Sequence, residues 1–213
     1  MKVAVVYVHP RINAQLYVPM ARRFASSYQT HPPGATDHDL YVIINGGPKE
    51  QYDDRNFRPL APQFMSHDNT GKDIGAFQSA AFQRPDYDLM VFMGSHVHFR
   101  QAGWLDVMVA AFEQNGPGMY GAYAFHTPAL HIRTTCFWMP PALFNLYPVH
   151  IGNDQRYEFE HGRVHGIAKW TIDSGFNSWM VTFGGSFPPQ HWQHVENHEA
   201  LVLDQHSDRI GYR

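Results

Sequence analysis

The first half of the chain alternates short apolar runs with segments that are apolar on one side. The runs favour buried strands and cover residues 3–8, 40–44 and 89–93, with a shorter candidate at 63–66. Between them, residues at helical spacing predict helices over 15–28, 73–83 and 104–112. Strands that alternate with helices predict an α/β, Rossmann-like fold with an open, mostly parallel sheet and helices on both faces.

The second half of the chain has a weaker pattern. Residues 120–125 and 132–138 are apolar enough to predict strands, and the proline pair at 140–141 predicts a short helix that runs to Leu146. Within the first half, residues 49–62 are predicted to form a polar loop. No internal repeat and no Gly/Ser linker divides the chain, so one domain spanning residues 1–213 is expected.

Composition and charge exclude several classes of protein. The chain has 213 residues and a formal net charge of −3, and no run of Lys or Arg provides a surface for nucleic acid. The single cysteine, Cys136, rules out a disulfide within the chain and a CxxC zinc site. No apolar stretch reaches the length of a membrane span, so we expect a cytoplasmic protein without a transmembrane segment.

The loops that follow the predicted strands carry the candidate binding residues. In open α/β sheets, ligands bind beyond the carboxyl ends of the strands. His9 and Pro10 follow the first strand, and Asn45 follows the second, where its amide can donate to and accept from a nucleotide base. Ordinary turns are the alternative interpretation, because Asn-Gly and Gly-Pro pairs are common in turns.

The segment after the third strand has a more specific composition. Asn69 precedes Gly71, which would let the backbone approach a ligand closely. Lys72 can reach an anion, and Asp73 suits the first turn of the next helix. A capped helix start without a ligand is the alternative.

Asn69-x-Gly71-x-Asp73-Ile74-Gly75-Ala76 is similar to the N-x-G-x-D-(I/V)-G-x stretch of rhamnan-synthesis and related GT-A glycosyltransferase-like proteins. Three further motifs follow it in the same order as in those proteins. The strand before Gly94-Ser95-His96, with Gly103-Trp104-Leu105 after it, is similar to their strand, D-x-D motif and G-W-L helix start. His131 to Phe137 resembles their H-L-Q-S-x-F strand, and Asp173 to Trp179 resembles their E-x-G-L-S helix.

The resemblance implies a sugar transferase that uses a nucleotide-diphosphate sugar as donor and a glycan or other hydroxyl group as acceptor. Residues 1–115 would form the half that binds the nucleotide-sugar, and residues 116–213 the acceptor-side half. The donor would contact a set of residues along both halves: His9, Pro10, Asn45, Asn69, Gly71, Lys72, Asp73, Ser95, Arg100 and Arg133. A protein of the same fold that binds nucleotide or glycan without turnover is the alternative function.

The chain departs from this family at the D-x-D motif, which reads Gly94-Ser95-His96. In GT-A enzymes those carboxylates bind ribose and a divalent metal. Here His96 and His98, on one face of an extended strand, could bind Mn²⁺. Alternatively, no metal is used and Lys72, Arg100 or Arg133 neutralises the diphosphate, or the site has lost its function.

Transfer with inversion needs a base that deprotonates the acceptor hydroxyl. The resemblance places Asp173 at the position of the family's carboxylate, and a helix N-cap is the alternative role of this residue. Glu158 and Glu160 are further candidates, because alternation in an extended segment would put both on one face.

Overall fold

The computed structural model describes residues 1–195 and 199–205, and most of its strands belong to one mixed sheet. Its eight strands lie in the order β10-β9-β5-β8-β4-β1-β2-β3. A separate pair is formed by β6 (Ala124–Phe125) and β7 (His131–Ile132). The bounds of the main-sheet strands are β1 Val3–Pro10, β2 Asp39–Asn45, β3 Gln63–His67, β4 Leu89–Met93, β5 Gly118–Gly121, β8 Cys136–Met139, β9 Asn177–Thr182 and β10 Gly185–Phe187.

Most strands of the main sheet run in the same direction. The neighbours β3, β2, β1 and β4 pair in parallel, and so do β5 and β9. Strand β8 pairs antiparallel with both β4 and β5, which therefore share one direction, and β10 is an antiparallel edge strand. The predicted α/β fold with a mostly parallel sheet is confirmed.

Helices cover both faces of the sheet, as predicted. Alternate residues of β1 point to opposite faces, so Tyr7 packs in one core and Val6 in the other. Helices α1 and α4 supply the first core, while α3, α5 and α7 supply the second. The helix bounds are α1 Ala14–Thr30, α2 Gln51–Phe57, α3 Lys72–Gln83, α4 Trp104–Asn115, α5 Pro141–Phe144, α6 Arg156–His161 and α7 Ile167–Asp173.

The structure differs from the sequence-based elements where residues are polar or turns are tight. The predicted loop at 49–62 contains α2, whose polar sequence has no apolar run to reveal it. The predicted strands 120–125 and 132–138 are each divided between the main sheet and the β6–β7 pair. In the part of the chain that the structure describes, no helix is both long and apolar enough to cross a membrane.

Candidate functional site

A cavity of about 300 Å³ lies beyond the carboxyl end of β4. Gly94, Ser95 and His96, which follow β4 directly, form part of its wall, and Asp73 from the first turn of α3 forms another part. The remaining polar wall comes from the second half of the chain: Arg133, Thr135, Arg156, Glu160, His161, Asp204 and Gln205. The cavity therefore collects charged side chains at the edge of the sheet where the strand order predicts a ligand.

Asp73 and Arg156 form a two-point ion pair in this wall. Arg156 Nε lies 2.7 Å from Asp73 Oδ1, and Arg156 Nη2 lies 2.9 Å from Asp73 Oδ2. This fork geometry fixes the guanidinium plane, and the hydrogen bond to Asp73 raises the pKa of Arg156 above its usual value. The pair joins α3 to α6, so it connects the two halves of the chain.

Glu160 is a buried carboxylate whose two oxygens have different partners. Oε2 accepts hydrogen bonds from the backbone amide of Thr134, at 2.9 Å, and from the Thr134 hydroxyl. Oε1 lies 3.0 Å from Nε2 of His161. Burial lowers the pKa of the His161 imidazole, an effect larger than the opposing attraction of Glu160.

His131 lies against this pair, although it does not line the cavity. Its Nδ1 is 2.8 Å from the carbonyl oxygen of Ala129, and its ring meets the His161 ring edge-on, with centroids 4.2 Å apart. One ligand atom each from His131, Glu160 and His161 lies within 4.8 Å of the other two. Two imidazoles and a carboxylate at this separation could hold a transition-metal ion.

Arg133 lies in the cavity wall and forms an ion pair with a second buried acid, Asp204. Its Nη1 lies 3.2 Å from Oδ2 of Asp204, and its backbone amide donates to the carbonyl of Tyr123 at 2.9 Å. Arg133 was predicted to contact the donor, and the structure brings it to the same cavity as Asp73 and Ser95.

The segment at the D-x-D position is a turn rather than a continued strand. The backbone amide of Gly94 donates to the carbonyl oxygen of Thr135, and the amide of Val97 donates to the carbonyl oxygen of Gly94. His96 lines the cavity, whereas His98 is buried and pairs through its backbone with Leu203. The expectation that His96 and His98 lie on the same face of an extended strand is wrong, because β4 ends at Met93.

The structure assigns Asn45 contacts within the chain. Its Nδ2 donates to Asn69 Oδ1 at 2.8 Å and to the Lys72 carbonyl at 3.1 Å. Its Oδ1 accepts from His67 Nδ1 at 2.9 Å. This network fixes the loop before α3, in which Asn69 and Lys72 both have positive φ.

Gly71 is required by a close approach of two backbones. Its φ is +70°, and a Cβ there would lie 2.1 Å from the carbonyl oxygen of Ile151. Its amide donates to Asn153 Oδ1 at 2.8 Å. The Lys72 side chain is exposed, and neither residue is part of the cavity wall.

His9 and Pro10 end β1 outside the cavity wall. His9 is 1 % exposed and lies 3.6 Å from Asp53, which also pairs with Arg11 at 2.7 Å. Burial lowers the pKa of His9, and Asp53 opposes this effect only in part. Arg100 lies in the bend after Phe99 and is likewise outside the wall.

The structure places the three candidate bases in different surroundings. Asp173 is the last residue of α7 rather than a helix N-cap, and its exposed carboxylate pairs with Lys169 at 2.6 Å, away from the cavity wall. The helix expected over residues 173–179 is also wrong, since β9 begins at Asn177. Glu158 and Glu160 lie on helix α6 rather than in an extended segment, so Glu158 is exposed while Glu160 is buried in the wall.

Sequence reasoning missed four of the site's functional groups. Arg156 and His161 flank Glu160 on one short helix, and their spacing on α6 was the available signal. His131 was noted only as part of a motif. Asp204 had no signal, because only the folded chain brings it to Arg133.

Comparisons with known proteins support the fold. No protein-family model matches the chain, and no curated protein matches its sequence. Mouse xyloside xylosyltransferase 1, in its apo form, superimposes with a TM-score of 0.53 at 6 % identity over 85 % of each chain. A cytidylyltransferase from Leptospira borgpetersenii gives a TM-score of 0.58 at 11 % identity, over 98 % of this chain and 84 % of that one.

A third solved structure is the mannosyltransferase PcManGT from Pyrobaculum calidifontis in complex with GDP-Man and Mn²⁺. It gives a TM-score of 0.50 at 11 % identity over 67 % of this chain, which spans only 45 % of that one. Together these structures confirm the GT-A-like fold. They carry nothing specific to rhamnan synthesis, so that finer resemblance stays a prediction.

Proposed function

We propose that this protein transfers a sugar from a nucleotide-diphosphate sugar to a hydroxyl group of a glycan or another acceptor. The observation that carries the proposal is the charged cavity at the carboxyl end of β4, in a GT-A-like fold, with Asp73 and Arg156 paired in its wall. The cavity takes residues from both 1–115 and 116–213, which suits a single domain that holds donor and acceptor together.

The chemistry needs groups that stabilise a leaving diphosphate. During transfer, the bond between the sugar's anomeric carbon and the diphosphate oxygen breaks and the nucleoside diphosphate leaves. The acceptor oxygen forms the new bond and passes its proton to a base. Arg133 and Arg156 present guanidinium groups to the cavity, and their forked donors suit phosphate oxygens. Asp204 and Asp73 hold these two guanidiniums in place before the donor arrives.

The residues at the D-x-D position do not fit the metal site of the family. Gly94 and Ser95 offer no carboxylate, and His96 alone provides one imidazole. A divalent ion such as Mn²⁺ prefers carboxylate oxygens with few imidazoles. We therefore derive no step through a metal bound at this position.

Glu160 is the carboxylate on which we propose that the reaction depends. It is buried in the cavity wall, whereas Asp173 is exposed and paired with Lys169. Removal of a carboxylate that acts on reacting groups typically costs a factor of about 10² to 10⁴ in rate. The cytoplasmic location remains a prediction of the sequence.

The test is a turnover assay with a panel of UDP-, GDP-, CMP- and dTDP-sugars and mixed hydroxyl acceptors. We expect one donor to yield the free nucleotide and an acceptor heavier by one sugar residue. Nucleotide binding without any product would support the alternative of a protein that binds and does not transfer.

Nucleotidyl transfer is a second candidate function. It is favoured by the superposition of the cytidylyltransferase on 98 % of this chain. A triphosphate substrate, however, needs backbone amides or several cations after β1. Here that loop contains no glycine, and the Asn13 side chain already accepts a hydrogen bond from the Leu16 amide in the first turn of α1. Release of pyrophosphate from a nucleoside triphosphate in the same assay would establish this second function instead.

A further inference from the structure

We infer that His131, Glu160 and His161 form a binding site for a divalent transition-metal ion in the wall of the cavity. The three residues come from β7 and the end of α6, and sequence patterns do not assign a metal to His131 or His161. The site is separate from the D-x-D position after β4. One ligand atom from each residue lies within 4.8 Å of the other two, so a modest movement of the side chains would bring all three onto one ion.

The hydrogen bond of His131 leaves one nitrogen available as a ligand. A carbonyl oxygen can only accept, so Nδ1 of His131 must carry the proton that it donates to Ala129. The lone pair is therefore on Nε2. Histidines that bind metals usually donate their other N–H to a carbonyl or carboxylate, which fixes the ring in the same way.

The spacing of Glu160 and His161 fits two neighbouring ligands of one ion. Oε1 of Glu160 and Nε2 of His161 are 3.0 Å apart. Two ligand atoms about 2.1 Å from a metal, at a right angle to each other, are separated by about 3.0 Å. An ion between them would thus need little movement of either side chain.

Thr134 holds one oxygen of the Glu160 carboxylate by two hydrogen bonds. Its backbone amide and hydroxyl both donate to Oε2 of Glu160, so Oε1 is the oxygen left for a cation. Partners of this kind are a regular feature of metal-binding carboxylates, and their loss typically weakens metal binding by about 10-fold to 100-fold.

The charges around the cavity favour a cation. Among the residues that the structure describes, three carboxylates line it, from Asp73, Glu160 and Asp204, against the two guanidiniums of Arg133 and Arg156. A diphosphate would enter a wall with more acidic than basic groups, and a divalent ion would reverse that excess. This last argument rests on the proposed function, whereas the three-residue geometry does not.

Glu160 and His161 line the cavity, so the remaining coordination positions of the ion would face its interior. A site with three protein ligands and open positions is typical of metals that contact a substrate. Two imidazoles and one carboxylate suit Zn²⁺ or Co²⁺ better than Mg²⁺, Ca²⁺ or Mn²⁺, which prefer oxygen ligands.

The test is a titration of the full chain, stripped with EDTA, with MnCl₂, CoCl₂ and ZnCl₂ in a calorimeter. We expect one equivalent of at least one ion to bind, and Co²⁺ to give a visible absorption band. His161→Gln and Glu160→Gln should each weaken binding at least 100-fold, and Thr134→Val about 10-fold. His165→Gln, an exposed histidine near α6, should bind as the wild type does.

Binding that is absent for all three ions, or that survives His161→Gln unchanged, would overturn the inference. Should Glu160→Gln fail to fold, His161→Gln still decides the question, because that side chain is partly exposed. The titration contains no sugar donor, so a protein that binds metal but transfers nothing would refute the proposed function while leaving the metal site intact.

Discussion

At the scale of single residues, the account depends on how each charged group is held. Asp73 and Arg156 make two hydrogen bonds to each other, so the guanidinium is oriented before any ligand binds. Lysine carries the same charge but cannot reproduce a two-point fork. The role of Arg156 can therefore be tested without changing the net charge of the cavity.

Arg156→Lys should lower sugar transfer about 100-fold, because an oriented donor to the diphosphate is lost. The rate of product formation by mass spectrometry measures this change. Arg163→Lys, an exposed arginine just beyond α6, is the matched control and should keep wild-type activity. Equal rates for both variants would show that the two-point hydrogen bonding of the Arg156 guanidinium plays no part in sugar transfer.

The buried His9 predicts a dependence of stability on pH. Burial lowers its pKa in the folded protein, while the unfolded chain takes up a proton near the usual value of about 6.5. The unfolded state then binds more protons, so the free energy of unfolding should fall as the pH drops from about 7 to about 5. His67 and His161 have lowered pKa values and add to this effect.

Urea unfolding at several pH values between about 5 and about 7 measures this change in the free energy of unfolding. His9→Gln should reduce the slope of the free energy of unfolding with pH, and His165→Gln, an exposed histidine, should leave it unchanged. An identical slope in His9→Gln and the wild type would mean that His9 is protonated equally in both states.

At the scale of elements, most of the first half of the chain was predictable, apart from α2, whereas in the second half the short helix α5 was predicted but α6 was not. Strand β4 has the predicted bounds, and β1 and β2 differ by one or two residues at their ends, because each has a buried apolar run. Strand β3 is more polar and only half-buried, and it extends one residue beyond its predicted end. In the second half, α6 reads Arg-Tyr-Glu-Phe-Glu-His and follows no apolar period, since one of its buried side chains is the acid Glu160. Burial of a carboxylate depends on partners such as Thr134, which local patterns do not reveal.

The same limit applies to the site. Motifs predict Asp73, Ser95, His96 and Arg133, and the alternation of two acids predicts Glu160. All five residues line the cavity. The contacts of Asn45 and Gly71 illustrate the opposite case. Gly71 lies in a motif and Asn45 in a loop predicted to contact the nucleotide, yet the structure gives both residues contacts within the chain that hold the loop before α3.

Gly71 gives a prediction at this scale. Gly71→Ala places a Cβ against the backbone oxygen of Ile151, so the free energy of unfolding should fall by about 3 kcal/mol. Gly103→Ala is the matched control, because Gly103 also has a positive φ but its Cβ would meet nothing within 4 Å. It should cost only about 1 kcal/mol, from backbone strain. Equal losses in thermal or urea unfolding would argue against the close approach to Ile151.

At the scale of the whole molecule, the cavity depends on the two halves of the chain meeting. Asp73 and the turn after β4 come from the half predicted to bind the donor, and Arg133, Arg156 and Glu160 come from the other half. The ion pair of Asp73 with Arg156 joins them directly. A GT-A-like sheet thus positions the cavity that we propose as the donor site, and its charged groups differ from the D-x-D pattern.

The most direct test of the central claim, sugar transfer in this cavity, is the mass of the acceptor after incubation with the nucleotide-sugar panel. We predict that the wild type adds one sugar residue, that Glu160→Gln lowers the rate at least about 100-fold, and that Glu113→Gln, an exposed acid on α4, does not. Transfer at the wild-type rate by Glu160→Gln, or no transfer by the wild type with any donor, would contradict the account.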